Sequence, residues 1–198
     1  MNSKAIVGVV VALVVVVGGY LAYRYMQVRS EAAKWAGPIK EIVEEKVAKE
    51  GDVSTIHFVS VVEAPLDKVQ KAMWGVERGQ ESVENMRLSR LLKEEGNRKE
   101  VQIQVQLLSL PLQEFTMEFN LDPNQHRMTF KTLQSNSQDL SGSYQLDGSP
   151  DGKLTRITYD AKAKPKVPIP LPQAVQDSAQ REFFVNTVRA IKKRALSG

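Results

Sequence analysis

Residues 55–75 read TIHFVSVVEAPLDKVQKAMWG, and the period of the apolar side chains changes within this stretch. In the first half the side chains alternate with both faces fairly apolar, which is typical of a covered β-strand. Pro65 ends the strand because it has no backbone N–H to donate. From Leu66 to Trp74 the apolar side chains recur at helical spacing, and Gly75 closes the helix. The stretch therefore predicts a strand followed directly by a short amphipathic helix.

Six further segments show the alternation expected of strands, and turn sequences of hairpin length separate them. They are residues 86–92, 101–107, 115–121, 128–130, 140–146 and 155–161. Hairpin connections imply an antiparallel meander. The chain then passes through KPKVPIPLP, residues 164–172, whose four prolines predict an extended loop. Residues 173–196 follow as a long helix with one apolar face.

The N-terminus contains nineteen residues without a charge, Ala5–Tyr23. A membrane-spanning helix needs about 20 apolar residues, so we expect a transmembrane anchor over residues 1–28. A cleaved signal peptide is the alternative, but residues 17–19 offer only a weak cleavage site and the apolar run continues beyond them. The predicted location is therefore the membrane, as a single-pass N-terminal anchor, and the side on which the rest of the chain lies stays open.

A connector, residues 29–52, is expected between the anchor and the folded domain, residues 53–198. Within the connector, apolar side chains at positions 39, 42, 43 and 47 have helical spacing. They predict a short amphipathic helix that ends at Gly51. We expect this helix to pack on the domain, although contact with a membrane surface is the alternative.

The composition excludes several classes of site. The chain of 198 residues has no cysteine and two histidines, which excludes disulfides, thiolate metal sites and a histidine-rich metal site. The net charge is +4, of which residues 1–30 contribute +3, so the remainder is nearly neutral and we expect no nucleic-acid partner. His57 and His126 have no sequence partner that indicates a catalytic triad. We therefore predict neither an enzyme nor a bound cofactor.

Three segments resemble the START-like (SRPBCC) superfamily, which includes polyketide cyclases, coenzyme Q-binding proteins and lipid-transfer domains. They are Val62–Val69 together with the rest of the predicted helix to Trp74, Gly142–Leu146 and Asp151–Tyr159. The resemblance covers about residues 53–196. It implies an α+β, helix-grip fold, in which a curved antiparallel sheet of about seven strands wraps around the long C-terminal helix and encloses an apolar cavity. It also implies a lipid, a quinone or another hydrophobic ligand.

The candidate cavity-lining residues are the aromatic, methionine and aliphatic side chains that fall on the predicted inner faces. They are Trp74, Met86, Leu88, Phe115, Met117, Phe119, Met128, Phe130, Tyr144, Tyr159, Phe184 and Val188. These side chains either line a cavity or fill it, and the sequence leaves both alternatives open. Tyr144 and Tyr159 offer hydroxyls that need partners if they are buried.

Two further features need a tertiary structure to interpret. Arg90 is in phase with Met86 and Leu88, so it is a buried cation if that phase faces inward; a strand edge or a slip of phase is the favoured alternative. The apolar loop Val167–Leu171 lies at the expected cavity mouth, either as a lid or as a stiff connection.

The sequence therefore predicts a membrane-anchored domain that binds or transfers a hydrophobic small molecule. Two alternatives stay open. A domain with a filled core would act as a scaffold in a membrane complex, with a protein partner that the sequence does not identify. A cyclase-like enzyme would need an acid–base group inside the cavity.

Overall fold

The computed structural model describes residues 16, 19–27, 29, 30, 33–35, 37, 39–106, 111–167 and 172–197. The chain divides into two units, residues 1–38 and residues 39–198. The second unit contains, in chain order, β1 (Glu44–Glu50), β2 (Val53–Val62), α1 (Leu66–Trp74), a 3-10 helix (Val76–Glu81), β3 (Met86–Glu95), β4 (Arg98–Val105), β5 (Gln113–Asp122), β6 (Arg127–Ser135), β7 (Gln138–Gly148), β8 (Thr155–Pro165) and α2 (Gln173–Ser197).

The eight strands of the described residues form one curved antiparallel sheet. Their order is β1-β2-β8-β7-β6-β5-β4-β3, so hairpins connect every neighbouring pair except β2 and β8. β2 and β8 pair along almost their whole length, with Phe58 opposite Tyr159. This long-range pairing joins the start of the domain to its last strand. The six strands predicted after α1 are confirmed.

The count of eight strands, where about seven were predicted, is due to β1. The amphipathic helix predicted for residues 39–50 is wrong, because Glu44–Glu50 pair antiparallel with β2. Gly51 has a φ of 61°, a conformation that glycine adopts readily, and it reverses the chain between the two strands. A helix of this length has little stability of its own in water. Hydrogen bonds to the edge of β2 therefore decide the conformation of the segment.

The predicted membrane anchor is also wrong. Among the described residues, the structure contains no helix that is long and apolar enough to span a bilayer. Residues 1–15, 17, 18 and 28 of the predicted anchor lie outside the described residues.

Helix α2 covers the inner face of the sheet, as predicted. Its buried apolar side chains include Phe184, Val188 and Ile191, which belong to the same core cluster as Phe58 and Ile157 of the sheet. A one-layer sheet with an apolar face needs such a cover, because that face must leave water. Four polar contacts between α2 and the segments before α1 accompany this packing: Arg181–Glu45, Arg189–Glu41, Lys192–Glu63 and Lys49–Gln173.

Candidate functional site

A cavity of about 170 Å³ lies between the inner face of the sheet and α2. Nine of the twelve candidate residues line it: Met86, Phe115, Met117, Phe119, Met128, Phe130, Tyr144, Tyr159 and Phe184. The alternating strands β5 to β8 bring seven of them together, because every second side chain of a strand points to the same face. That these nine contact a ligand stays a prediction.

Three candidate residues do not belong to the cavity lining. Val188 of α2 is buried in the hydrophobic core of the domain. The Trp74 ring lies at the end of α1, where the Lys99 ammonium is 4.8 Å from its centroid. Leu88 faces away from the cavity because the pairing of β3 with β4 shifts by one residue between Met86 and Leu88. Such a bulge reverses the faces of the residues beyond it.

The same bulge settles the position of Arg90. Ser89, and not Leu88, lies opposite the cavity-lining Ile103, so Arg90 lies on the outer face with Gln102. There Arg90 is exposed, and its Nη2 donates to Gln102 Oε1 at 2.7 Å. Arg90 is therefore not a buried cation, which agrees with the phase slip favoured from the sequence.

Tyr159 is at the centre of an aromatic cluster on the inner face. Its ring centroid lies between 4.9 and 6.3 Å from the rings of four residues: Phe58, Phe130, Tyr144 and Phe184. The Phe130 ring is nearly parallel to it, at an interplanar angle of 9°. Gly142, opposite Phe130, provides the space, since a Cβ at this position would lie 2.7 Å from Phe130 Cζ. The cluster forms one wall of the cavity.

The hydroxyls of Tyr144 and Tyr159 make no hydrogen bond with any residue that the structure describes. Both tyrosines line the cavity. Burial raises the pKa of the Tyr144 hydroxyl well above its usual value. Burial also raises the pKa of Tyr159, and the nearby Tyr144 raises it further. Both phenols are therefore neutral at physiological pH, when each has a proton to donate to an acceptor in the cavity.

Helix α2 contributes a polar stripe to the same cavity, which sequence analysis missed. Gln180, Thr187 and Arg194 are spaced seven residues apart, so they lie on one face of the helix, and all three line the cavity. Gln180 Oε1 is buried without a hydrogen-bond partner. The seven-residue spacing was present in the sequence, but Phe183, Phe184 and Ile191 on the same side made the face look wholly apolar.

The two ends of the cavity differ in chemistry. Gln113 begins β5, Gln138 begins β7 and Gln180 lies near the start of α2, so amide side chains line the end at which these elements begin. Arg194, near the end of α2, lines the opposite end, where its Nη1 donates to the Gly75 carbonyl at 2.6 Å. Burial lowers the pKa of Arg194, with a smaller lowering by Arg78, while Glu77 and Glu81 oppose this effect.

Lys99 lies at the same end of the domain as Arg194, since the two side chains bind the carbonyls of the neighbouring residues Trp74 and Gly75. It is an inward-facing residue of β4 with 4% of its surface exposed, and Lys99 Nζ lies 2.8 Å from Glu77 Oε2 and 3.2 Å from the Trp74 carbonyl oxygen. Its charge is therefore paired within the fold. This end of the domain consequently carries two inward-facing cations, of which Lys99 has a carboxylate partner.

The histidines lie outside the cavity lining. His57 is on the outer face, with Nδ1 2.7 Å from Asp160 Oδ1 and Nε2 3.7 Å from Glu44 Oε2. His126 Nδ1 is 2.7 Å from Gln70 Oε1. Within the described residues no group of histidine, aspartate and glutamate side chains could hold a metal ion. In the predicted loop Val167–Leu171, Val167 is exposed, and residues 168–171 lie outside the described part of the chain.

Comparison with solved structures identifies the fold. The Zhui aromatase/cyclase from Streptomyces sp. R1128 superposes with a TM-score of 0.64 and 15% identity, covering 73% of this chain and 94% of its own. The chain has a helix-grip fold. A START superfamily protein from Mycobacterium smegmatis gives a TM-score of 0.59 at 11% identity, covering 72% of this chain and 97% of its own.

A STAR-related lipid transfer protein fragment from Xanthomonas axonopodis gives a TM-score of 0.55 at 16% identity. That match covers 77% of this chain and 98% of the fragment. By sequence, neither a protein-family model nor a curated protein matches the chain. Since the identities are low, the structural likeness establishes the helix-grip fold alone, and the ligand has to be argued from the cavity itself.

Proposed function

We propose that this domain binds a hydrophobic small molecule in the cavity between the sheet and α2. The observation that carries the proposal is the cavity itself, about 170 Å³ of space among aromatic and methionine side chains. Apolar side chains that border open space lack the contacts that a filled core would give them. A ligand that fills it recovers the lost contacts, so a retained cavity favours binding over a purely structural core.

The volume limits the size of the ligand. It is slightly larger than the ~150 Å³ engineered cavity that holds benzene, and smaller than the ~300–1,000 Å³ of pockets for drug-sized ligands. A compound of one or two rings, or a short acyl chain, therefore enters without rearrangement. A longer lipid or a quinone with its side chain requires the flexible side chains of Met73, Met86, Met117 and Met128 to move, as methionine does readily.

The ionisable groups favour binding over acid–base catalysis. Among the described lining residues they are Tyr144, Tyr159 and Arg194. A tyrosine with a raised pKa is a hydrogen-bond donor at neutral pH and a poor general base. We therefore propose that Tyr144 and Tyr159 orient an oxygen acceptor of the ligand. Solved proteins with this fold include both a lipid transfer protein and an aromatase/cyclase, which agrees with a hydrophobic ligand and leaves turnover to be measured.

The first test is uptake of a ring compound that matches the volume. We expect the full chain to bind 2-naphthol saturably, with one molecule per chain, measured by the fluorescence of the probe. Ala163→Leu adds a side chain to the cavity lining and should abolish this binding while the protein stays folded. Ala48→Leu makes the same change at an exposed position of β1 and should bind as the wild type does.

The outcomes separate the proposal from its alternatives. Equal binding by Ala163→Leu and wild type would place the site elsewhere. Absence of saturable binding in the wild type would favour a scaffold role and overturn the proposal. Solvent extraction of the purified full chain, followed by mass spectrometry, then identifies any compound that fills the cavity from the start.

A further inference from the structure

The three arginines of α2 have different surroundings. Arg181 and Arg189 are exposed and paired with carboxylates: Arg181 Nε lies 2.9 Å from Glu45 Oε2, and Arg189 binds Glu41 through both Nε and Nη2. Arg194 is only partly exposed and lines the cavity. Among the described residues, Arg194 has no carboxylate within 4 Å. A guanidinium removed from water normally has such a partner.

The acidic residues near Arg194 are bound to other cations. Glu77 Oε2 lies 2.8 Å from Lys99 Nζ, and Glu81 Oε2 lies 3.0 Å from Arg78 Nη2. Both carboxylates are close enough to favour the charged form of Arg194, but neither forms an ion pair with it. The fold therefore holds the Arg194 cation in place without neutralising it through direct contact.

The hydrogen bonds of Arg194 leave one edge of the guanidinium, Nε and Nη2, without an acceptor among the described residues. Nη1 donates to the Gly75 carbonyl oxygen at 2.6 Å, which orients the side chain across the end of α1. Nε is buried and has no acceptor, and Nη2 makes no hydrogen bond with the described residues. The Nε and Nη2 donors are parallel, and a carboxylate accepts from such a pair with both oxygens.

From these observations we propose that Arg194 binds an anionic oxygen group of the ligand, and that the ligand is therefore a small aromatic or short-chain carboxylate. The proposal rests on the proposed function. The apolar part of the acid occupies the aromatic cluster and the carboxylate reaches the Arg194 end. In this arrangement the ligand supplies the counter-charge that the protein leaves out.

The experiment compares two probes of the same shape and different charge, 2-naphthoate and its neutral amide, 2-naphthamide. We expect the full-length protein to prefer the carboxylate, by calorimetry at neutral pH. Arg194→Gln should lower the affinity for 2-naphthoate by roughly tenfold to hundredfold, because it removes a charge-assisted hydrogen bond, and should leave the affinity for 2-naphthamide nearly unchanged. Arg189→Gln removes an arginine from the same helix outside the cavity lining and should leave both affinities unchanged.

A direct measurement on the wild type keeps the test independent of whether Arg194→Gln folds. In ¹⁵N spectra of the arginine Nε–H groups, 2-naphthoate should shift the Arg194 signal and 2-naphthamide should not. Loss of that signal in Arg194→Lys, which retains the charge, assigns it. Equal affinities of the wild type for the two probes, an unchanged preference in Arg194→Gln or an unshifted signal would each overturn the proposal while leaving the binding function intact. If 2-naphthoate, 2-naphthamide and 2-naphthol all failed to bind, both the carboxylate proposal and the proposed binding function would be overturned.

Discussion

The two faces of strand β5 carry opposite chemistry. Phe115, Met117 and Phe119 point inward and line the cavity, whereas Glu118 points outward. Around Glu118 the outer face carries Arg98 and Lys131, at N–O distances of 2.7 and 3.0 Å. The inner contacts are apolar and withdrawn from water, whereas the outer contacts are ionic, between a buried Glu118 carboxylate and two cations whose side chains are exposed. We therefore expect substitutions on the inner face to cost several times more stability than substitutions on the outer face.

The largest expected effect is at Phe58, which is completely buried on the inner face of β2. Its ring lies 5.1 Å from Phe184 and 6.3 Å from Tyr159, between centroids. Phe58→Ala should lower the free energy of unfolding by about 3–5 kcal/mol, measured by urea denaturation, because it enlarges a cavity that the core cannot close. His57→Ala, on the outer face of the same strand, should cost less than about 1 kcal/mol. Similar losses for the two variants would refute the comparison of faces.

A smaller but still large effect is expected at Gly142 in β7. A Cβ here would lie 2.2 Å from the Asp160 carbonyl oxygen and 2.8 Å from Ala161 Cα, so backbone atoms would have to move. Gly142→Ala should cost about 2–3 kcal/mol of stability. Gly148→Ala is the matched control on the same strand, where the new Cβ would be 3.5 Å from Leu66 Cβ. Thermal denaturation should show a large decrease in Tm for the first variant and almost none for the second.

Lys99 tests whether substitution of a charged residue on the inner face also costs more stability than substitution of an exposed one. Lys99→Met keeps the apolar stem but leaves Glu77 and the Trp74 carbonyl without their donor. We expect a loss of about 2 kcal/mol in the free energy of unfolding, measured by urea denaturation. Lys93→Met, in the exposed pair with Glu95 on β3, should have little effect. If Lys99→Met were neutral, the pairing with Glu77 would not contribute to stability.

The smallest expected effect is on the outer face at Glu118. Hydrogen bonds from Lys131, Asn120 and Arg98 hold the pKa of its carboxyl below the ordinary value of 4.5. A carboxyl whose pKa is lower in the folded state stabilises the protein above its unfolded pKa, and this contribution is lost as the pH falls through the folded pKa. Glu118→Gln should cost about 1 kcal/mol at neutral pH.

The pH dependence provides a second check on Glu118. Below pH 4.5 the wild type should lose stability, and Glu118→Gln should lose less over the same interval, measured by urea denaturation at each pH. Parallel curves for the two proteins would mean that the ionic cluster of the outer face does not contribute to stability in acid.

Much of the fold was predictable because the apolar side chains repeat with a regular period over long segments of the sequence. The alternation at residues 101–107 and 115–121 identified β4 and β5, and the strand–proline–helix pattern at residues 55–75 identified β2 and α1. These segments are locally consistent with the structure, since propensity, turn residues and the apolar pattern all agree. For the same reason, nine of the candidate residues occur together in the cavity lining.

The errors occur where a contact distant in sequence overrides the local pattern. The apolar spacing of residues 39–47 is typical of a helix, but pairing with the edge of β2 makes residues 44–50 a strand. The alternation from Met86 predicts that Leu88 faces inward, but the bulge between these two residues of β3 turns Leu88 to the outer face. Neither the pairing partner nor the bulge can be read from a local period.

By itself, the sequence determined the number and kind of most elements, their antiparallel order and the apolar character of the inner face, because these follow from residue period and turn chemistry. Only the tertiary structure decided that the inner face lines a cavity and that Arg194 belongs to this lining. In the sequence, Arg194 is the last of three basic residues at a helix end, which indicates a solvated terminus. The crossing of α1 and α2 brings Gly75 to its guanidinium, and this contact, absent from any local pattern, directs the charge to the cavity end.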